Sequence, residues 1–176
     1  MPWYRTHGKI ERPLTEEEFL EAMKKGRFVK RKHKGFVALL YYTGIRRGEA
    51  LRAKKEQFRL YHQKIYFDVG KRLKHGIKTP ALIIPLKAPY ADEIWYAVEH
   101  TEPGHRVWPY SDKTAYNIVR RALNTYPHHL RLSRITKFFL KGYTIPQVHS
   151  WTGLTLKALN YYVGLVDVKK MAESLS

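Results

Sequence analysis

Two adjacent arginines follow a Thr-Gly pair in YYTGIRRGEAL, residues 41–51. A guanidinium binds phosphate oxygens in pairs, and a nearby glycine lets another backbone come close. Arg46 is therefore a candidate phosphate anchor, and Glu49, one turn further on, could orient it. A second basic stretch is HHLRLSRITKFFLKG, residues 128–142, where His128 and Arg131 stand three apart and share a helical face. The third is VHSWTGLTLKALNYYVG, with Trp151 ahead of two neighbouring tyrosines, Tyr161 and Tyr162. A phenol becomes a useful nucleophile where cations lower its pKa and hold an electrophilic phosphate in line. Each stretch also has a plain reading: a solvated ion pair, an incidental basic face, and core or rim tyrosines.

The elements that would position these residues are mostly helices. PLTEEEFLEAMKKG opens with a capping box, Thr15 and Glu18, and has Phe19, Leu20 and Met23 as its apolar stripe. HKGFVALLYYTG is helical to Gly44, which ends or bends it, and a further helix starts near Arg47. Ile65, Phe67 and Val69 alternate with polar residues, as do Leu82 and Ile84. This predicts a β-hairpin with a long basic tip, plus a third strand at 57–61. Helices follow over KAPYADEIWYAVEH, over KTAYNIVRRALN capped by Ser111 or Asp112, and over HHLRLSRITKFFLKG, IPQVHSW and LTLKALNYYVG. The fold class is mainly α with a small antiparallel sheet (α+β). The expected organisation is one domain over 1–176: a basic arm at 1–10, a core at 11–163, and a tail at 164–176 forming a loose final helix.

Thirty-three Lys and Arg against fifteen Asp and Glu give a formal charge of +18, spread along the whole chain. Such a field attracts polyanions, nucleic acid first among them, whereas a membrane-surface protein would concentrate its cations on one amphipathic helix. With no cysteine, disulfides and thiolate zinc sites are excluded, and the nine histidines lack metal-ligand spacing. No apolar run suits a membrane span and the N-terminus has no signal-peptide pattern, so a cytoplasmic, DNA-associated protein is expected.

Taken in order, the three stretches resemble the catalytic domain of the tyrosine recombinase (phage integrase) family. Thr43, Gly44, Arg46 and Glu49 match its first box, and His128, Leu130 and Arg131 its second. WTGLTLKALNYY is similar to the subgroup in which Trp replaces a histidine before the nucleophile. The likeness runs from about residue 11 to 163 and rests on the order and spacing of the boxes. It implies the following roles. Arg46 and Arg131 clamp the scissile phosphate, His128 and Trp151 complete its pocket, and Tyr161 attacks to leave a 3′-phosphotyrosine and a free 5′-hydroxyl. A hairpin lysine protonates the leaving oxygen: Lys74 is favoured, with Lys71 and Lys78 open. No cofactor or metal is implied. Arg47, Arg52, Lys71, Lys78, Arg120 and Arg134 become DNA-backbone contacts.

The sequence also departs from that pattern. Leu132 stands where a second histidine often follows the box-two arginine, and the interval from Trp151 to Tyr161 is one residue longer than the family's usual one, which leaves Tyr162 open. Family members work as tetramers on double-stranded DNA, exchange the C-terminal segment, and usually carry a separate N-terminal DNA-binding domain. The resemblance therefore implies a homo-tetramer, with residues 164–176 packing in trans, and an N-terminal domain that is missing here. Two rival readings are a non-catalytic basic DNA-binding domain derived from an integrase and a type IB topoisomerase-like nicking-closing enzyme.

Overall fold

The computed structural model describes residues 4–6, 9–70 and 80–175. The expected architecture is present: helices dominate, and a three-stranded antiparallel sheet is inserted among them. Within the stretch expected as a basic arm, Tyr4–Thr6 (β1) pairs antiparallel with Lys9–Glu11 (β2). Tyr, Thr and Ile in these segments are residues that suit strands.

Helix α1 (Glu16–Lys25) starts with the anticipated capping box, in which the Glu18 N–H donates to Thr15 Oγ1 at 3.1 Å and the Thr15 N–H to Glu18 Oε1 at 3.3 Å. Arg12 pairs with the same carboxylate and holds its pKa down at about 2. Helix α2 (Arg31–Thr43) is the spine of the fold, buried from Gly35 to Tyr41. It passes so close to α4 (Ala91–Glu99) that a Cβ on Gly35 would sit 2.5 Å from the Glu93 carbonyl. Gly44 ends α2 in the left-handed region at φ +61°, and the six-residue α3 (Arg47–Arg52) starts three residues later.

Strands β3 (Phe58–Tyr61), β4 (Lys64–Phe67) and β5 (Leu82–Pro85) form a meander, so the third strand at 57–61 is also present. Its first turn, His62–Gln63, has both central residues at positive φ, which matches the right-handed twist of a two-residue hairpin. Phe58, Ile65, Phe67, Leu82 and Ile84 point into the core, and the Phe58 and Phe67 rings stack at 4.3 Å.

Helix α5 (Asp112–Leu123) is capped by Ser111, α6 (Pro127–Leu140) has proline in its first turn, and α7 (Ile145–Thr152) is capped by Thr144 and closed by Gly153. Helix α8 (Leu156–Glu173) runs straight through Gly164, where separate pieces were expected. Two cores result. The larger joins the sheet to α1–α5, and the smaller holds Leu132, Ile135, Phe139, Val148, Leu159 and Val166. Leu130 belongs to the first and Leu132 to the second, so α6 is the seam, and Arg131 lies between them.

Candidate active site

At that seam the α2–α3 turn, α3, the start of α5, the start of α6 and the α7–α8 turn surround a cleft of about 660 Å³. Arg46, Arg47, Arg52, His128 and Arg131 line it, together with Tyr116, Tyr126 and Leu154. Asp112 is the one acid in the wall among the described residues, and it pairs with Arg47 at 3.1 Å. Four guanidiniums against one carboxylate make the cleft an anion site.

Arg131 is almost fully buried, and two backbone carbonyls fix its guanidinium: Nη1 donates to Gly44 at 2.7 Å and Nη2 to Thr152 at 3.1 Å. The first box thus holds the second-box arginine by a main-chain oxygen. Arg46 is exposed at the mouth, at the residue preceding α3. Glu49, expected to orient its side chain, accepts the Arg46 backbone N–H at 2.8 Å. The carboxylate caps the helix start and so sets the direction from which Arg46 departs.

The histidine doublet is divided between structure and site. His128 is exposed and lines the cleft. His129 is buried: its Nε2–H donates to the Arg12 carbonyl at 2.8 Å, so Nδ1 is the acceptor for the Thr125 hydroxyl at 2.6 Å. With the Leu14 N–H donating to Ser133 Oγ at 2.9 Å, it ties α6 to the entry of α1.

Among the described residues, Trp151, Arg134, Arg120, Tyr161 and Tyr162 are not part of the cleft lining. The Trp151 indole N–H donates to the Thr43 carbonyl at 2.9 Å, and its ring faces a separate cavity with Phe138 and Tyr143. The residue that reaches the cleft from this turn is Leu154, just past the left-handed Gly153, with its carbonyl held by His149 Nδ1–H. Arg134, expected on DNA, is packed at the α2–α6 interface, donating Nε–H to the Tyr41 carbonyl at 3.0 Å and lying over the Tyr41 and Phe138 rings. Burial pulls its pKa down. Lys137, on the same face, donates to the Tyr41 hydroxyl at 2.7 Å, and burial, then the Arg134 charge, brings its pKa to about 7.

The tyrosines of α8 face differently. Tyr161 is 59% exposed, whereas Tyr162 is half-buried against the smaller core. Burial raises the Tyr162 pKa, and the Arg131 charge pulls it back. Arg52 is exposed on the cleft rim, and Arg120 is exposed on α5 one turn beyond Tyr116. Lys71, Lys74 and Lys78 lie outside the described residues. Sequence reasoning missed Tyr116, Tyr126, Asp112 and Leu154. The i,i+4 spacing of Asp112 and Tyr116 and the place of Leu154 after a helix-ending glycine were the available signals.

No family model matches the chain, and no curated protein matches it by sequence. By structure, the fold is that of the tyrosine recombinase catalytic domain. A XerH site-specific recombinase bound to a palindromic difH substrate in a post-cleavage complex is 20% identical, with a TM-score of 0.72 over 98% of this chain and 55% of that one. XerA recombinase aligns at 15% identity and 0.67 over 96% and 65%. The Tn1549 transposon integrase, in complex with transposon right end DNA, aligns at 14% and 0.64 over 96% and 68%. The chain spans about half the length of the XerH chains. Among the described residues, no helix is long and apolar enough to cross a membrane.

Proposed function

We propose that this chain is the catalytic part of a site-specific DNA recombinase, cleaving and rejoining strands through a 3′-phosphotyrosine. The observation that carries the reading is the convergence of Arg46, Arg131 and His128 on one cleft, with a tyrosine of α8 under the influence of the Arg131 charge. Arg46 and Arg131 bind the non-bridging oxygens and stabilise the charge that grows on the pentavalent phosphorus. His128 donates a hydrogen bond to the same phosphate and assists proton transfer. The phenolic oxygen attacks phosphorus as its proton passes to His128, the P–O5′ bond breaks, and the departing oxygen takes a proton from a lysine of the expected hairpin tip, Lys74 being preferred. The phosphotyrosine conserves the bond energy, so rejoining by a 5′-hydroxyl requires neither metal nor nucleotide. Of the two tyrosines, Tyr162 is the one on which the Arg131 charge acts, lowering a pKa that burial raises, and on that ground it is preferred to Tyr161 as the attacking residue.

The neighbours' DNA complexes support double-stranded DNA as the partner, and the functional form is taken as a tetramer completed by an N-terminal DNA-binding domain. A second reading, binding without cleavage, is favoured by one observation: Leu154 presents an apolar wall where a phosphate donor was expected. A nicked suicide duplex decides between them. A covalent protein–DNA adduct that forms in chelator and disappears in Tyr162→Phe but not in Tyr161→Phe supports the assignment. Loss only in Tyr161→Phe moves the nucleophile back one residue. Salt-sensitive binding without any adduct leaves the binding module.

A further inference from the structure

Residues 24–34, KKGRFVKRKHK, hold five lysines, two arginines and a histidine, and no acid. Part of this charge has partners. Lys25 pairs with Glu21 at 2.5 Å, Arg31 with Glu93 at 2.9 Å while covering the Tyr96 ring, and Lys32 donates to Thr101 Oγ1 at 3.0 Å. Arg27 and Lys30 are exposed and form no ion pair among the described residues, and the same holds for Arg121 in the last turn of α5. His33, half-buried in the first turn of α2, meets the Tyr110 ring just ahead of α5 edge-on at 5.3 Å, and the Lys30 and Arg121 charges both act on its imidazole. The α1–α2 loop, the first turn of α2 and the last turn of α5 thus present one cationic surface. It does not stabilise the fold. Like charges repel, and the first turn of α2 has no acid to offset the positive end of its dipole.

Two helices connect it to the cleft. Helix α2 runs from the cluster to Gly44, whose carbonyl holds Arg131, and α5 runs from Asp112 in the cleft wall to Arg121. Asp112 and Arg121 are nine residues apart, about 14 Å along a helix axis at 1.5 Å per residue. That distance is about four base-pair steps of a duplex. We propose that Lys30, His33 and Arg121, with Arg27 beside them, form a second anchoring surface for the DNA backbone, engaging the flank of the duplex whose phosphodiester occupies the cleft. The proposal rests on the reading of the cleft as a DNA site.

The test compares duplexes that carry the same cleavable phosphodiester but end either about two or about twelve base pairs beyond it on each side. Wild-type protein should bind the long duplex about tenfold more tightly at low salt, with a log K against log[salt] slope steeper by about 2. Lys30→Gln/Arg121→Gln should abolish that gain while leaving short-duplex binding and the adduct rate unchanged. Both positions are exposed, so circular dichroism should show an unaltered fold. The proposal is overturned if the double variant keeps the length dependence, or if it loses long- and short-duplex binding equally. It is also overturned if an unlinked blunt duplex added to the short complex restores the full gain, since the surface would then take a separate molecule. A length effect that obeys these rules with no adduct on any substrate would refute strand transfer and leave the anchoring surface standing.

Discussion

Replacing Trp151 by phenylalanine separates a structural tryptophan from a phosphate ligand. The indole N–H donates to the carbonyl of Thr43, a fully buried residue, and the ring packs edge-on against Phe138 at 5.6 Å. Phenylalanine keeps an aromatic body and deletes the donor. The hydrogen bond is worth about 0.5–1.5 kcal/mol net, and leaving its buried acceptor unsatisfied costs about 1–3 kcal/mol. A total near 2 kcal/mol is expected, a fall in Tm of about 4–8 °C for a chain of this size. Thr43 adjoins Gly44, whose carbonyl positions Arg131, so the adduct rate on a nicked duplex should fall, but by less than about tenfold. A donor acting directly on the transition-state phosphate would cost about 10²–10³ in rate. Thermal unfolding and adduct kinetics are measured on the same preparation. An unchanged Tm with a hundredfold loss of adduct would refute the structural role and return the indole to the phosphate.

Two further perturbations probe the same seam. Gly44→Ala puts a side chain at φ +61° with its Cβ 2.7 Å from the Arg134 Cβ; left-handed strain of about 1–2 kcal/mol and overpacking of about 1–3 kcal/mol add. Urea unfolding should show at least 2 kcal/mol of lost stability, and a neutral result would mean that α6 does not approach this residue. Lys137 has its pKa lowered to about 7 by burial and the Arg134 charge, Lys141 adding to the effect and Glu16 and Glu18 opposing it. The folded chain thus releases the Lys137 proton near pH 7 and the unfolded chain near 10.4. Between those values the unfolded state holds more protons, so stability rises with pH, by at most about 1.4 kcal/mol per unit from this group. Lys137→Met should flatten the rise between pH 7 and 9 in urea titrations; an identical slope would place the ammonium in water.

Three doublets mark the boundary of what could be read beforehand. Arg46–Arg47, His128–His129 and Tyr161–Tyr162 each place two identical residues side by side on or at the start of a helix. Neighbours there diverge by about 100°: His128 lines the cleft while His129 turns into the core, Tyr161 is exposed while Tyr162 is half-buried, and Arg46 and Arg47 both reach the cleft, Arg47 paired with Asp112. Composition is blind to the choice. Box spacing separated His128 from His129 and put Arg46 ahead of Arg47, but in the tyrosine pair the choice depends on how α8 rotates onto the smaller core. The helices, the sheet and the Thr15–Glu18 cap were legible because periodicity and capping are local. Arg134 was not, since its destination is a long-range stack on Tyr41 and Phe138.

The linkage that builds the site is the least legible part, for a definite physical reason. Arg131 and Gly44 are 87 residues apart, Trp151 and Thr43 are 108 apart, and both contacts end on main-chain carbonyls. Every residue type has such a carbonyl, so the acceptor leaves no signature of its own. The sequence records only the conditions for exposing it: a residue that tolerates the left-handed turn ending α2, and room for α6 beside it. Gly44 meets both. Its place in the first box follows from geometry alone: it turns one oxygen toward the buried arginine while the Thr43 oxygen is aimed at the next helix. A side chain at position 44 would therefore damage the cleft by moving Arg131 before it disturbed Arg46, the residue nearer in sequence.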